Sequence, residues 1–381
     1  MESTTRLYGL GDAERALQDE VAALCATVAP LSTEADAMSE IHPGVREALR
    51  ASGLAGLMVP AQYGGRAEKI DPLAVCLARE IMMKECSHLD SMFALQGIGS
   101  YAITMGGTDE QRRTWLPRVA SLDTLAGLAL TEEHAGSDLK NVSTRVIEKN
   151  GSLVVRGEKA FISNAGAADF FVTLVTEDAG LSLVLVPADA PGVHTRPSPE
   201  IIAPHVLGDL TFDDVELPVE ARLGAPGKAM SLVLSTLAVF RVSVAGAAVG
   251  LATGALEEAT RHARTREQFG RPLAKHGPVA QLLADSWIDV EMARLLTYDA
   301  AAAAREDARS ALNRSSMAKV AATEAAARVV DRSVQAMGRW GLIANSRIER
   351  YYRQARPMRV YEGASEVLKL GIAATLCAEL D

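Results

Sequence analysis

The chain has 381 residues, 48% of them hydrophobic, enough to bury a large core and to form two or three domains. Lysine and arginine number 39 against 48 acidic residues, a formal charge of -9, and no lysine-dense tract offers phosphates a landing surface, so no nucleic-acid partner is expected. Cys25, Cys76, Cys86 and Cys377 lack the paired spacings of zinc sites or disulfide frameworks, and the opening MESTTRLYGLGDAER has no apolar secretory core, so a cytoplasmic address without a bound metal is expected.

From residue 1 to about Leu122 the runs DAERALQDEVAALCATVAPL, HPGVREALRASGLAGL and DPLAVCLAREIMMKE place apolar residues three and four apart, between Pro and Gly punctuation. This reads as an all-α domain, 1–122. From 123 to 227 the pattern turns to short β-rich runs, SLVVRGEKAFIS, DFFVTLVTE, LSLVLVPA and DLTFDDVELP. That is a β domain. Helical periodicity returns over 228–381, with alanine-rich stretches such as MAKVAATEAAARVVDRSVQAMG, and predicts a helical bundle. Met230 to Gly254 is long enough to tempt a membrane assignment, but Arg241 at its centre argues for a buried helix and no membrane. Gly246, Gly250 and Gly254, four apart, predict a face where another backbone approaches closely.

Several short segments carry chemistry. In VYEGASEV, Glu362 stands where a helix is about to begin. A first-turn or capping charge is the ordinary use of such a carboxylate, and Glu366 serves equally. Its Tyr, Gly and Ala neighbours also allow a tight apolar cavity, which raises a Glu above its reference pKa of about 4.3 and makes it a base near neutral pH. LALTEEHAGSD, 128–138, holds the hydroxyls of Thr131 and Ser137 around a small-residue turn; His134 and the adjacent carboxylates make no metal-ligand spacing and read as solvated. In GEKAFISNAG, 157–166, alternation puts Phe161 and Ser163 on one face of a strand. RTREQFGRPL, 264–273, gathers Arg264, Arg266 and Arg271 around Phe269-Gly270 at a helix end, suited to the helix dipole or to a pyrophosphate. Arg347, Arg350, Arg353, Arg356 and Arg359 recur every third residue, a spacing that drifts around a helix and predicts a solvated or ion-paired segment, interrupted at Pro357.

In this order, GLAGLMVPAQYGG, GGTDEQRRTWLP, LTEEHAGSD, GEKAFISN, LTFDDVELP, REQFGRPL and VYEGASE resemble motifs of the acyl-CoA dehydrogenase flavoproteins, over nearly the whole chain. The resemblance implies an α+β fold: an N-terminal helical domain, a middle β domain and a C-terminal four-helix bundle, with FAD between the β domain and the last helices. It implies flavin contacts from Leu128, Leu130, Thr131, Gly136, Ser137, Phe161 and Ser163, and contacts from Arg266, Phe269, Gln335 and Gly338 to the FAD of a second subunit, hence a homodimer or homotetramer. It makes Glu362 the catalytic base and places Ser137, Phe240, Arg241 and Gly363 against the substrate.

The implied reaction is 2,3-dehydrogenation of an acyl thioester, with electrons passing to an electron-transfer flavoprotein or to oxygen. The stretch TLAVFR, where some relatives keep the base, has no carboxylate. Ala238, Phe240, Gly277 and Ala364 depart from the family pattern, which leaves both CoA and a carrier-protein phosphopantetheine open as the thioester's handle. A flavin oxidase or monooxygenase on the same scaffold, and a non-catalytic protein that binds an acyl carrier, are the alternatives.

Overall fold

The computed structural model describes residues 9–380. Helices α1 (Asp12–Val28), α2 (Ser32–Ala35), α3 (Pro43–Ser52), α4 (Pro72–Glu85), α5 (Ser87–Gly106) and α6 (Asp109–Ala120) come first. They are followed by strands β1 (Ala126–Ala129), β2 (Arg145–Lys149), β3 (Ser152–Ser163), β4 (Phe170–Glu177), β5 (Gly180–Pro187), β6 (Val193–Pro197), β7 (Leu207–Pro218) and β8 (Arg222–Leu223). The 37-residue helix α7 (Ala229–Thr265) leads through a two-stranded hairpin, β9 (Glu267–Gln268) and β10 (Arg271–Pro272), to α8 (Gly277–Glu306), α9 (Leu312–Met337), α10 (Arg347–Met358) and α11 (Ser365–Ala378). This is the α+β order read from the sequence.

By packing, the chain forms two compact units. One comprises the chain up to Ala37, Pro72–Asp90 and the chain from Ala238; the other comprises Met38–Asp71 and Ser91–Leu237. The division cuts across element type: α1 and α4 belong with the C-terminal helices, α3 and α6 with the sheet.

In the helical unit, α4, α7, α8, α9 and α10 share a core that includes Cys76, Leu77, Ala248, Leu251, Ala301, Ala322, Val329, Tyr351 and Met358. The glycine stripe on α7 explains how closely α4 lies against it. A Cβ on Gly246 would stand 2.7 Å from the Cys76 carbonyl oxygen, and one on Gly250 only 1.9 Å from that of Glu80. Only hydrogen fits there. By length and composition α7 is able to cross a membrane, yet 78% of its most apolar window is buried inside the protein. The arginine run forms α10 and its exit. Arg347 pairs with Glu85 at 2.9 Å, Arg350 with Asp36 at 3.3 Å, Arg353 with Glu349 at 2.6 Å and Arg359 with Glu324 at 2.9 Å, so the segment is ion-paired as its charge implies. Pro357 does not interrupt this helix. It lies in the last turn, where the helix ends one residue later and little remains to be disrupted.

In the sheet unit the strand order is β6-β7-β3-β2-β4-β5-β8, with β1 paired parallel to β4. Successive residues of β4 enter two cores: Phe170, Val172 and Leu174 join Ile103, Leu116 and Val119 of α5 and α6, whereas Phe171 and Val175 join Val155, Leu210 and Phe212. A strand covered on both faces reads as a near-continuous apolar run, as FFVTLV does, broken only by the buried Thr173. β3 pairs with β7 along most of its length but shifts register between Lys159 and Ile162, and Phe161 within the bulge has φ 56°. The bulge turns the end of β3 away from the regular ladder.

Candidate active site

Glu362 lies between α10 and α11. The residue preceding α11 is Ala364, which has no side chain able to cap it, and Glu366 occupies the first turn. Glu362 is therefore not the capping charge. It has φ 53° and Gly363 has φ 108°, two successive residues in the left-handed region. A non-glycine residue held there costs on the order of 1–3 kcal/mol and persists only when its surroundings determine it. Here two cations do so. Arg241 of α7 donates from Nε to the Glu362 carbonyl at 2.9 Å, and Lys319 of α9 donates from Nζ to the Gly363 carbonyl at 2.8 Å. Arg241 is itself held through Nη1 by Ser316 Oγ at 3.2 Å. Gly363 has no room for a methyl: a Cβ would stand 2.8 Å from Leu368 Cδ2 and 3.3 Å from Arg241 Nη2.

The side chain of Glu362 is unlike the other carboxylates described above. The residue as a whole is half-buried, yet its Oε2 lies out of solvent with no hydrogen-bond partner among the described residues. Burial raises its pKa, opposed by the nearby charges of Arg79, Arg241 and Lys319. A carboxylate so placed is a base without a proton donor of its own. Behind it, Arg79 of α4 is buried and grips Asp90 with both ends of its fork, at 2.9 and 2.7 Å, while its remaining nitrogen donates to Ser243 Oγ at 2.9 Å. Phe240, on the same turn of α7 as Arg241, is fully buried.

In the sheet unit, the end of β1 runs beside the bulged end of β3. Ala160 N–H donates to the Thr131 carbonyl at 3.0 Å, and Asn164 Nδ2 to that of Ala126 at 3.1 Å. This brings Leu128, Leu130, Thr131, Phe161 and Ser163 onto one ledge. Leu128 and Leu130 are partly buried, Phe161 is half exposed, and Ser163 Oγ lies 3.0 Å from His205 Nε2. Gly136 and Ser137 are exposed on the following turn, and the hydroxyls of Thr131 and Ser137 make no hydrogen bond among the described residues. An open aromatic, apolar walls and free hydroxyls suit a flat, polar-edged cofactor.

One expectation fails on this loop. Of the carboxylates read as solvated, Glu132 is only 4% exposed. Its Oε1 accepts from Lys159 Nζ at 2.8 Å and Thr144 N–H at 2.9 Å, and its Oε2 from Ser143 N–H and Oγ, both at 2.7 Å. Burial opposes its ionisation, but these donors outweigh it and hold the carboxyl down to about 2. Burial also pulls Lys159 down to about 8, against the attraction of Glu132, so both are charged at neutral pH. Glu133 and His134 are exposed, as expected. The signal for Glu132 was Lys159, on the inward face of β3, where a lysine needs an anion.

Arg266, Phe269, Gln335 and Gly338 lie in the helical unit and are exposed. Phe269 and Gly270, both at positive φ, form the two-residue tip of the β9–β10 hairpin, and the Phe269 ring is 94% exposed. Such a tip is ordinarily Asn-Gly, so a bare phenyl there marks a surface that meets something. Arg79, Lys319 and His205 escaped the sequence reading. Lys319 alone announced itself, as a charge on the small-residue face Ser315, Ser316, Ala322, Ala326 of α9.

Three family models match in series: acyl-CoA dehydrogenase N-terminal domain over residues 11–123, middle domain over 127–215 and C-terminal domain over 227–377. Cyclohexane-1-carbonyl-CoA dehydrogenase of Geobacter metallireducens is 30% identical over 358 residues, covering 92% of this chain and 94% of that relative. The chain therefore belongs to the acyl-CoA dehydrogenase family. Among solved structures, butyryl-CoA dehydrogenase from Megasphaera elsdenii superposes with a TM-score of 0.92 at 27% identity, covering 97% of this chain and 99% of that one. A glutaryl-CoA dehydrogenase from Mycobacterium smegmatis, in complex with FADH2, gives 0.91 at 26% identity, covering 98% and 96%.

Proposed function

We propose that this protein is an FAD-dependent oxidoreductase that introduces a double bond between carbons 2 and 3 of an acyl thioester, with Glu362 as the base. The observation that carries the reading is the buried, unpartnered Oε2 of Glu362 on a strained turn gripped by Arg241 and Lys319. FAD, when bound, supplies the acceptor for the hydride that leaves carbon 3. Leu128, Leu130, Thr131, Gly136, Ser137, Phe161 and Ser163 hold it. Glu362 removes the proton from carbon 2, and its raised pKa matches it to a weakly acidic C–H better than an ordinary carboxylate would be. As that proton leaves, the thioester oxygen gains negative charge. The Glu362 N–H, which makes no hydrogen bond among the described residues, is a donor available to it. Arg241 and Gly363 shape the floor under the acyl group; Phe240, expected against the substrate, has no exposed surface to offer it and serves as packing in the helical unit.

Turnover in the presence of an electron acceptor, followed by mass analysis, tests the reaction. The expected product is the thioester lacking two hydrogens; incorporated oxygen would instead indicate a monooxygenase. An electron-transfer flavoprotein, or oxygen, reoxidises the cofactor in this scheme. We keep the three segments 1–122, 123–227 and 228–381 as its working organisation, in the cytoplasm.

The same proposal includes self-association. α8 exposes Trp287, Ile288, Met292 and Leu295 along one side, four large apolar groups that a chain alone leaves in water. Together with Phe269 they support a homo-oligomer in which Arg266, Phe269, Gln335 and Gly338 extend to the cofactor of a second copy. Replacing Trp287 and Met292 together by Asp is expected to reduce the mass found by light scattering to that of a smaller assembly or a single chain. An unchanged mass would remove α8 from the interface.

A further inference from the structure

α9 turns toward the Glu362 loop a face made of hydroxyls and one lysine. Ser315 donates to the Ala238 carbonyl at 3.0 Å, Ser316 receives Arg241 Nη1 at 3.2 Å, and Lys319, one turn further on, donates to the Gly363 carbonyl at 2.8 Å. Lys319 is 0% exposed. A buried ammonium is costly unless paired, and a neutral side chain would satisfy a carbonyl or fill this space at lower cost. Its hydrogen bond goes to a neutral group, and the carboxylate it faces, Glu362, has an Oε2 that receives none.

We infer that Lys319 is a positioning residue for the reaction: with Arg241 it pins the consecutive carbonyls of Glu362 and Gly363 and so holds the strained turn that aims the Glu362 carboxylate. This rests on the reading of Glu362 as the base. Around the ammonium stand Glu362 on the loop, Arg241 on α7, Glu324 on its own helix and Glu366 on α11, while Arg79 of α4 acts on Glu362. Burial pulls Lys319 down to about 8; the three carboxylates oppose this and Arg241 assists it. The cationic clamp is thus complete below about pH 8 and loses its charge as pH rises through that value. Loss of a neighbouring cation also raises the Glu362 pKa further.

The test compares Lys319→Met and Lys319→Arg with the parent enzyme. FAD absorbance and the thermal midpoint report folding, pH profiles report kcat and KM, and infrared difference spectra report the protonated-carboxyl C=O band that Glu362→Gln deletes. Lys319→Met is expected to keep FAD and KM, to lose roughly 10- to 100-fold in kcat as expected for a misaimed group, and to retain the carboxyl band to higher pH. The parent is expected to lose activity as pH rises through about 8, where Lys319 gives up its charge, and this variant is expected to show no such fall. Lys319→Arg, charged throughout, recovers most of kcat and also lacks that fall. Parental kcat and an unmoved carboxyl band in Lys319→Met would overturn the inference, as would a parent profile without the alkaline fall. If Lys319→Met fails to fold, a folded Lys319→Arg that still shows the fall overturns it. Should Glu362→Gln turn over like the parent, the base assignment itself fails, whatever Lys319 does.

Discussion

Glu362→Gln is expected to lose about 10²- to 10⁴-fold in kcat, the usual contribution of a general base, while retaining FAD and substrate affinity. The amide copies the shape of the carboxylate but accepts no proton at neutral pH. The two cations that define the turn grip the carbonyls of residues 362 and 363, not the side chain, so the loop survives the substitution. The defect therefore falls on chemistry alone. In the parent enzyme kcat/KM rises with pH through the Glu362 ionisation, because the ionised form is the active one, and burial places that rise above the ordinary glutamate range. Stopped-flow reduction of the flavin, with bound FAD measured on the same sample, separates loss of chemistry from loss of cofactor.

Lys159→Met carries the largest expected effect on stability. The ammonium and Glu132 are both buried, and removing one partner leaves an uncompensated charge, at a cost of about 3–5 kcal/mol. Glu132 has other donors in Ser143 and Thr144, which places the effect toward the lower end of that range. The pH dependence has a definite sign. In the parent the depressed Glu132 pKa contributes stability that is fully present above the ordinary glutamate value and is lost as pH falls toward about 2. Without Lys159 that carboxyl rises, so the gap between parent and variant is widest at neutral pH and narrows in acid. Adding Glu132→Gln to Lys159→Met removes the stranded charge and restores part of the loss. Denaturant titrations of the three proteins at neutral and acid pH measure all of this; equal midpoints would show that the pair does not hold the LTEEHAGSD loop.

The strands β3, β4, β5 and β7 were legible because alternation and β-branched residues mark them locally, and the long helices because alanine and apolar periodicity do. The packing was not. α1 and α4 join helices more than 150 residues away in the chain, contacts that no local pattern records, although Gly246 and Gly250 did signal that a backbone lies against α7; at Gly254 the close neighbour is the Tyr351 side chain instead. At the loop ahead of α11, residue chemistry alone allowed Glu362 to be a cap; that Ala364 holds the capping position depends on the left-handed turn, which Gly363 suggests but does not locate. Adjacent Glu132 and Glu133 look alike in sequence and have opposite surroundings, because the partner that distinguishes them, Lys159, sits 27 residues on. Arg79 was hidden for the same reason: it is a charge inside an apolar helix whose partners, Asp90 and Ser243, come from other elements.

Everything proposed for Glu362 requires that this chain withdraw a proton and a hydride from neighbouring carbons of an acyl thioester. The most direct test is anaerobic mixing of the purified protein with a panel of acyl-CoA and acyl-carrier thioesters while the flavin absorbance is followed. At least one saturated thioester is expected to bleach the flavin, matched by an equal amount of the 2,3-unsaturated product. An oxidised flavin that stays yellow with every member of the panel, in protein fully loaded with FAD, would rule this reaction out.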